Sequence, residues 1–265
     1  MTPNYFAKAD FLSSLGLVIS GILGAFIVEV IGLRSIWLFA AGAYAISFVV
    51  LLTAPERYRR RHTSFSRALK TVTQQSGDAL RYCRMHHILY AFFIASALWL
   101  IAGAIGGVMA WTPFLIELGF AEQHFGYLWS AMAVVQMMGL AISQFALKTI
   151  SSRKVIIVAQ SLFAATLLAV YWVSSLPFAL LLVLFSILFA SAKAPSLNVF
   201  FHRFTPSYMR ATIGSVKATL GAAIAILMMP ISGHFIDTIG AQNALFSAGL
   251  ALLPAVGIYL LMKEH

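Results

Sequence analysis

The chain has 265 residues, 61% of them apolar and only 10% charged, with a formal net charge of +10 at pH 7. No soluble domain hides that proportion of apolar surface, so composition leaves the class of integral membrane proteins, whose spanning segments take lipid as their solvent. Cys83 is the single cysteine, which excludes an intrachain disulfide and a cysteine-rich metal site, and the basic residues sit in short stretches between apolar runs rather than on one soluble face, which argues against nucleic-acid binding.

In chain order, the amino terminus MTPNYFAKAD carries too little positive charge for a typical signal-peptide n-region, and the apolar run behind it is long enough to span, so it is read as a retained helix. Hydropathy gives about eight spans: Phe11 to Ile31, Ser35 to Thr53, Ile88 to Thr112, Phe125 to Leu147, Val155 to Val173, Phe178 to Phe201, Ile213 to Phe235 and Ala244 to Leu261. Each covers the roughly 30 Å of hydrocarbon at about 1.5 Å per residue. Tight connections such as Gly32-Leu33-Arg34 and Ser174-Ser175-Leu176-Pro177 imply antiparallel neighbours. One connection differs. From Ala54 to His87 the chain is polar and basic, and Phe65, Leu69, Val72, Ala79 and Cys83 recur at helical spacing, as in an amphipathic helix on the inner membrane surface.

Charge sets the expected orientation, because short loops rich in lysine and arginine stay cytoplasmic. With the amino terminus inside, the inner side receives Lys8, then Arg57, Arg59, Arg60, Arg61, Arg67, Lys70, Arg81 and Arg84, then Lys148, Arg153, Lys154, Arg203, Arg210 and Lys263, while the outer side receives Arg34. The expected location is a bacterial inner (plasma) membrane with both termini cytoplasmic.

The segments WTPFLIELGF and FGYLWSAMAVVQMMG resemble the seventh helix, outer loop and eighth helix of the major facilitator superfamily. FTPSYMRATIGSVKATLG and ISGHFIDTIGAQNALF are similar to that family's loop into the eleventh helix and its hairpin into the twelfth. The resemblance implies an all-α, polytopic membrane helix bundle of about eight transmembrane helices, matching helices five to twelve of the major facilitator fold, with the first four lacking a counterpart. It divides the chain into residues 1–54, a two-helix remnant of an N-terminal transporter half; 55–87, the basic cytoplasmic linker; and 88–265, a six-helix C-terminal half. The function it implies is alternating-access transport of a small organic solute, with the lipid bilayer and a missing N-terminal half or partner chain as the other partners. The competing reading is a non-transporting subunit or truncated remnant that scaffolds or pairs with another chain. Of the family's basic loop motif, LKTISSRKV keeps only Arg153 and Lys154; of the antiporter motif, Gly16, Gly21 and Gly24 stand without the proline.

Ionisable groups inside spans cost about 2.5 to 3.5 kcal/mol at mid-helix on insertion scales, so each is a candidate site residue. Lys193 lies deep in FASAKAPSLNVF, beside Pro195 and shortly before Asn198, in a helix whose family counterpart lines the central cavity. It is either a cationic contact for an anionic substrate group or a carboxylate, or an amine snorkelling to the inner surface. Lys217, near Arg210, favours snorkelling. Glu29 is a candidate for proton coupling, or an interfacial carboxylate near Arg34. Gln136 stands midway along its span and Gln144 and Gln160 nearer span ends; Gln136 is a substrate contact or an interhelical hydrogen bond. Trp99 is deep enough to wall a cavity, whereas Trp111 and Trp129 fall near the outer interface as anchors. The candidate substrate-binding set is therefore Lys193, Gln136, Asn198 and Trp99. Gly103 with Gly107, and Ser186, Ala190 and Ala194, carry the small-residue spacing of close helix packing. No Walker loop, H-E-x-x-H or G-x-S-x-G occurs, and no catalytic residue, metal or cofactor is expected.

Overall fold

The computed structural model describes residues 3–53 and 64–262, apart from the side chains of 3–12, 65, 67–69, 71 and 108. Arg57, Arg59, Arg60, Arg61 and Lys263, and the side chains of Lys8, Phe65, Arg67 and Leu69, lie outside the described residues. The elements are α1 (Pro3–Ile31), α2 (Ser35–Leu52), α3 (Phe65–Met85), α4 (His87–Ile105), α5 (Val108–Glu117), α6 (Phe125–Ala146), α7 (Ser152–Ala169), α8 (Leu176–Phe204), α9 (Arg210–Ile239) and α10 (Ala241–Leu261). Among the described residues there is no strand, and eight helical segments are long and apolar enough to cross a membrane. In lipid, every backbone polar group must be satisfied within the chain, which is why so apolar a sequence resolves into helices.

The third span is interrupted. Hydropathy runs unbroken from His87 to Glu117, yet α4 stops at Ile105 and α5 starts at Val108, with Gly106 and Gly107 between them. A carbonyl freed by such a break must find a donor, and Ser232 of α9 supplies it, donating from Oγ to the Ala104 carbonyl at 2.7 Å.

The chain forms two compact units, Met1–Lys70 with Ala121–Val134, and Thr71–Phe120 with Val135–His265. In the first, α1 turns into α2 through Gly32, whose φ of 97° favours a residue without Cβ, and the Ser35 hydroxyl closes the turn on the Gly32 carbonyl at 2.7 Å. The start of α6 crosses α1 backbone to backbone: a Cβ on Gly126 would stand 2.7 Å from the Ala25 Cβ and 2.8 Å from the Gly21 carbonyl oxygen. Only glycine permits that approach, and the Ser130 hydroxyl completes it by donating to the Val18 carbonyl at 2.9 Å.

In the second unit, helices α4, α7, α8, α9 and α10 meet around Phe92, Ile156, Phe200, Ile213 and Tyr259. Ala79 and Cys83 of α3 are buried against this cluster, so the amphipathic helix docks by its second half, while Val72 is 58% exposed. The Gly103 and Gly107 spacing does not mark the closest helix approach. Gly103 has open space where a Cβ would stand, and Gly107 lies at the α4–α5 break, whereas Gly106 abuts Ala248 of α10. On α8, Ser186 is buried and donates to the Val183 carbonyl at 2.7 Å, whereas Ala194 of the same spacing is exposed. It is Gly139 of α6 that presses on α8, where a Cβ would meet the Leu188 carbonyl oxygen, the Ser191 Cβ at 2.9 Å and the Ala192 nitrogen at 3.1 Å. Ser143, one turn further, lies 3.2 Å from Ser196, hydroxyl to hydroxyl.

Candidate functional site

Three helices of the second unit bring side chains to one depth. Their ends share the Phe92, Ile156 and Phe200 cluster. Counted from those ends, Trp99 lies about 18 Å along α4, and Phe163 on α7 and Lys193 on α8 each about 16 Å along their helices, at about 1.5 Å per residue. That is near the middle of a hydrocarbon layer about 30 Å thick. Lys193 is only 2% exposed, and its ammonium stands over the indole of Trp99, 3.2 Å from the ring centroid. Phe163 packs against the same indole at 4.7 Å between centroids, tilted by 45°. Lys193 and Trp99, singled out separately in the sequence, thus form one contact.

The electrostatics of that contact are incomplete. A desolvated cation–π pair returns about 2 kcal/mol or more, which offsets much of the roughly 2.5 to 3.5 kcal/mol that a lysine costs at mid-span on insertion scales. No described carboxylate lies at this depth: of the described acidic residues in the same unit, Asp78 lies on α3, Glu117 ends α5 and Asp237 stands at the end of α9. The site offers a positive charge on an aromatic floor and no described counter-charge.

Gln160 is a polar residue of this region whose position the hydropathy reading misjudged. It is fully buried, and among the described residues no group bonds its Oε1 or its Nε2. It precedes Phe163 by one helical turn on the same face of α7. Hydropathy places it near a span end because the polar run before Val155 reads as a loop. In the structure α7 begins at Ser152, with the Ser151 hydroxyl accepting from the Lys154 backbone N–H at 3.5 Å, so Gln160 falls at mid-helix. The serine ahead of the basic pair is the capping signal that marks this start.

The remaining candidates are placed elsewhere. Asn198 is on α8 but five residues from Lys193, well around the helix, and exposed. Gln136 is exposed on α6, one turn from Gly139 at the α6–α8 crossing. Glu29 belongs to the other compact unit, where its exposed carboxylate accepts a hydrogen bond from the Tyr127 hydroxyl at 3.2 Å. Lys217 is half-buried and directs its ammonium at the rings of Phe92 and Phe201, 5.2 and 5.4 Å from their centroids.

The model of the Major Facilitator Superfamily matches residues 5–221. The chain belongs to that superfamily. No curated protein gives a significant match. Membership makes the chain an integral membrane protein of the secondary-transporter kind, a family that is generally non-enzymatic.

For a major facilitator member, the arginine of the basic pair in LKTISSRKV has a structural use visible here. Arg153, in the first turn of α7, donates from Nε to the Tyr259 carbonyl at 2.8 Å and from Nη2 to the Leu260 carbonyl at 2.6 Å. The guanidinium thereby caps the last turn of α10, where carbonyls lack helical partners and the helix dipole favours a cation.

Proposed function

We propose that this chain moves a small organic solute bearing an anionic group across the membrane by alternating access, with the Lys193 ammonium on its Trp99 floor as the contact for the anion. The observation that carries the reading is the buried lysine without a described carboxylate at its depth. A charge left short of compensation favours whatever ligand supplies the opposite charge, and an aromatic floor beneath it holds the organic body of the same ligand. Gln160, polar and unbonded one turn away along α7, is assigned as a hydrogen-bonding group that the solute reaches as the helices rearrange. Gln136 and Asn198, on open faces of α6 and α8, are assigned to the wall of the path, and Glu29 with Tyr127 to proton coupling.

Rocking of this kind needs two bundles. Helices α1 and α2 are assigned to the opposing half, with the other helices of that half supplied by a partner chain or by sequence outside this chain. We place the protein in a bacterial inner membrane with both termini cytoplasmic, because Arg34 is the one lysine or arginine assigned to an outer loop.

The test is uptake into liposomes holding the protein purified from its native membrane together with whatever chain co-purifies. The panel contains carboxylates, sulfonates and phosphate esters alongside sugars and organic cations. Accumulation of an anionic member, lost in Lys193→Ala, is the expected result. Movement of no panel member, or undiminished movement in Lys193→Ala, overturns the reading.

A further inference from the structure

A second feature lies away from Lys193, where α3 meets the bundle. A groove of about 780 Å³ is lined there by Arg81, Arg84 and Cys83 of α3, by a stripe of α4 that includes Tyr90, Phe93 and Ala97, and by Leu220 of α9. The α4 residues recur at three- and four-residue spacing and so form one helix face. Ala97 lies about 15 Å along α4 from His87, and Leu220 about 15 Å along α9 from Arg210. The groove therefore runs about half of a hydrocarbon layer roughly 30 Å thick, the depth of one leaflet. Its lining is apolar except at the α3 end, where both arginines are exposed. Among the described residues neither guanidinium has an ion-pair or hydrogen-bond partner.

We propose that this groove holds one anionic phospholipid, with its phosphate on Arg81 and Arg84 and one acyl chain along Tyr90, Phe93, Ala97 and Leu220. Both halves of the surface enter the argument. Two unpaired guanidiniums a helical turn apart supply planar donors to a phosphate. A free anion would be satisfied by the arginines alone and would leave the apolar stripe unused, whereas a lipid uses both, and a one-leaflet groove fits its chain. Basic pockets beside transmembrane helices recognise headgroups on this physical ground. The site is independent of the transport reading, since it shares no residue with the Lys193 contact.

The experiment titrates the purified intact chain, in neutral detergent, with palmitoyl-oleoyl phosphatidylglycerol and with the matching phosphatidylcholine, and counts bound lipid by native mass spectrometry. The expected result is one retained phosphatidylglycerol, preferred over phosphatidylcholine by roughly thirtyfold from two arginines acting together. In R81Q/R84Q that preference falls to within about twofold. In Ala97→Phe, which narrows the groove, both lipids are lost. Lys148→Gln, a basic residue outside the groove, keeps the preference. Because Arg81 and Arg84 are exposed, their replacement leaves an intact fold, which size-exclusion chromatography checks. Equal binding of the two lipids, an unchanged preference in R81Q/R84Q, an equal loss in Lys148→Gln, or displacement of the lipid by inorganic phosphate would each overturn the proposal.

Discussion

The Lys193 ammonium stands 3.2 Å from the centroid of the Trp99 ring, which joins α8 to α4 at mid-depth through a charge and a ring face. If this contact presents the charge to a solute, Lys193→Ala reduces anion uptake at least about tenfold, the worth of an interaction of about 1.4 kcal/mol, without lowering the amount of protein in the membrane. Trp99→Phe, which keeps an aromatic face, retains more uptake than Trp99→Leu. A lysine that only packs gives another pattern, in which Trp99→Leu shifts the melting temperature and leaves uptake alone.

Gln160 should be worth more to function than to stability. A buried amide with no bonding partner costs about 1 to 3 kcal/mol, so a leucine of similar volume in its place stabilises the fold by about 1 kcal/mol or more. We therefore expect Gln160→Leu to melt higher than the parent in detergent while transporting less. A protein that sheds stability to keep a polar group at its site behaves this way. A lower melting temperature would show that the amide has a partner in the folded chain and would remove the premise.

Much of this was legible in the order of residues, for identifiable reasons. Eight apolar segments follow from lipid's intolerance of unbonded backbone, and Lys193 stands out because a charge in such a segment is rare. What escaped reading is non-local or is averaged away. A hydropathy window passes over Gly106 and Gly107 because their neighbours are apolar, although the α4 helix ends there. The Gly103 and Gly107 spacing suggested a packing face, but the approach that forms uses Gly106 against Ala248, a partner that no local pattern specifies. Gln160 reads as nearer a span end than it is, because a polar first turn resembles a loop until its serine cap is recognised. Arg153 could be noticed as part of a basic pair, but the carbonyls it caps lie more than a hundred residues away.

Helices α7 and α10 are tied at both ends, and the two ties should act independently. At one end Arg153 holds the Tyr259 and Leu260 carbonyls; at the other, Gln242 of α10 donates from Nε2 to the Val170 and Val173 carbonyls, each at 2.9 Å. The arginine bonds are charge-assisted and favourably placed at a helix carboxyl end, so Arg153→Ala costs about 2 kcal/mol and Gln242→Ala about 1 kcal/mol. Sites this far apart share no partner, and the double variant should lose close to the sum. Arg153→Lys recovers only part of the loss, because an ammonium lacks the planar fork that reaches two carbonyls. Thermal unfolding in detergent measures all four. Full recovery in Arg153→Lys would mean that charge alone matters at this end.

Cys83 reports whether α3 stays docked. It is 6% exposed, and burial pushes its thiol above the ordinary thiol range. Maleimide reacts with the thiolate, and a raised thiol holds less thiolate at any pH below its own ionisation. Labelling of the native protein should therefore be slow near neutrality, climb as pH passes beyond the ordinary thiol range, and become fast at neutral pH once detergent denaturation exposes the helix. Ala79 is fully buried one turn before Cys83 on the same face, so Ala79→Trp should lift α3 away from Phe92 and Tyr259. We expect labelling at pH 7.5 to accelerate at least about tenfold in that variant, as exposure lowers the thiol toward its ordinary value and opens access to it. Rapid labelling of the native parent at neutral pH would mean that α3 spends its time undocked.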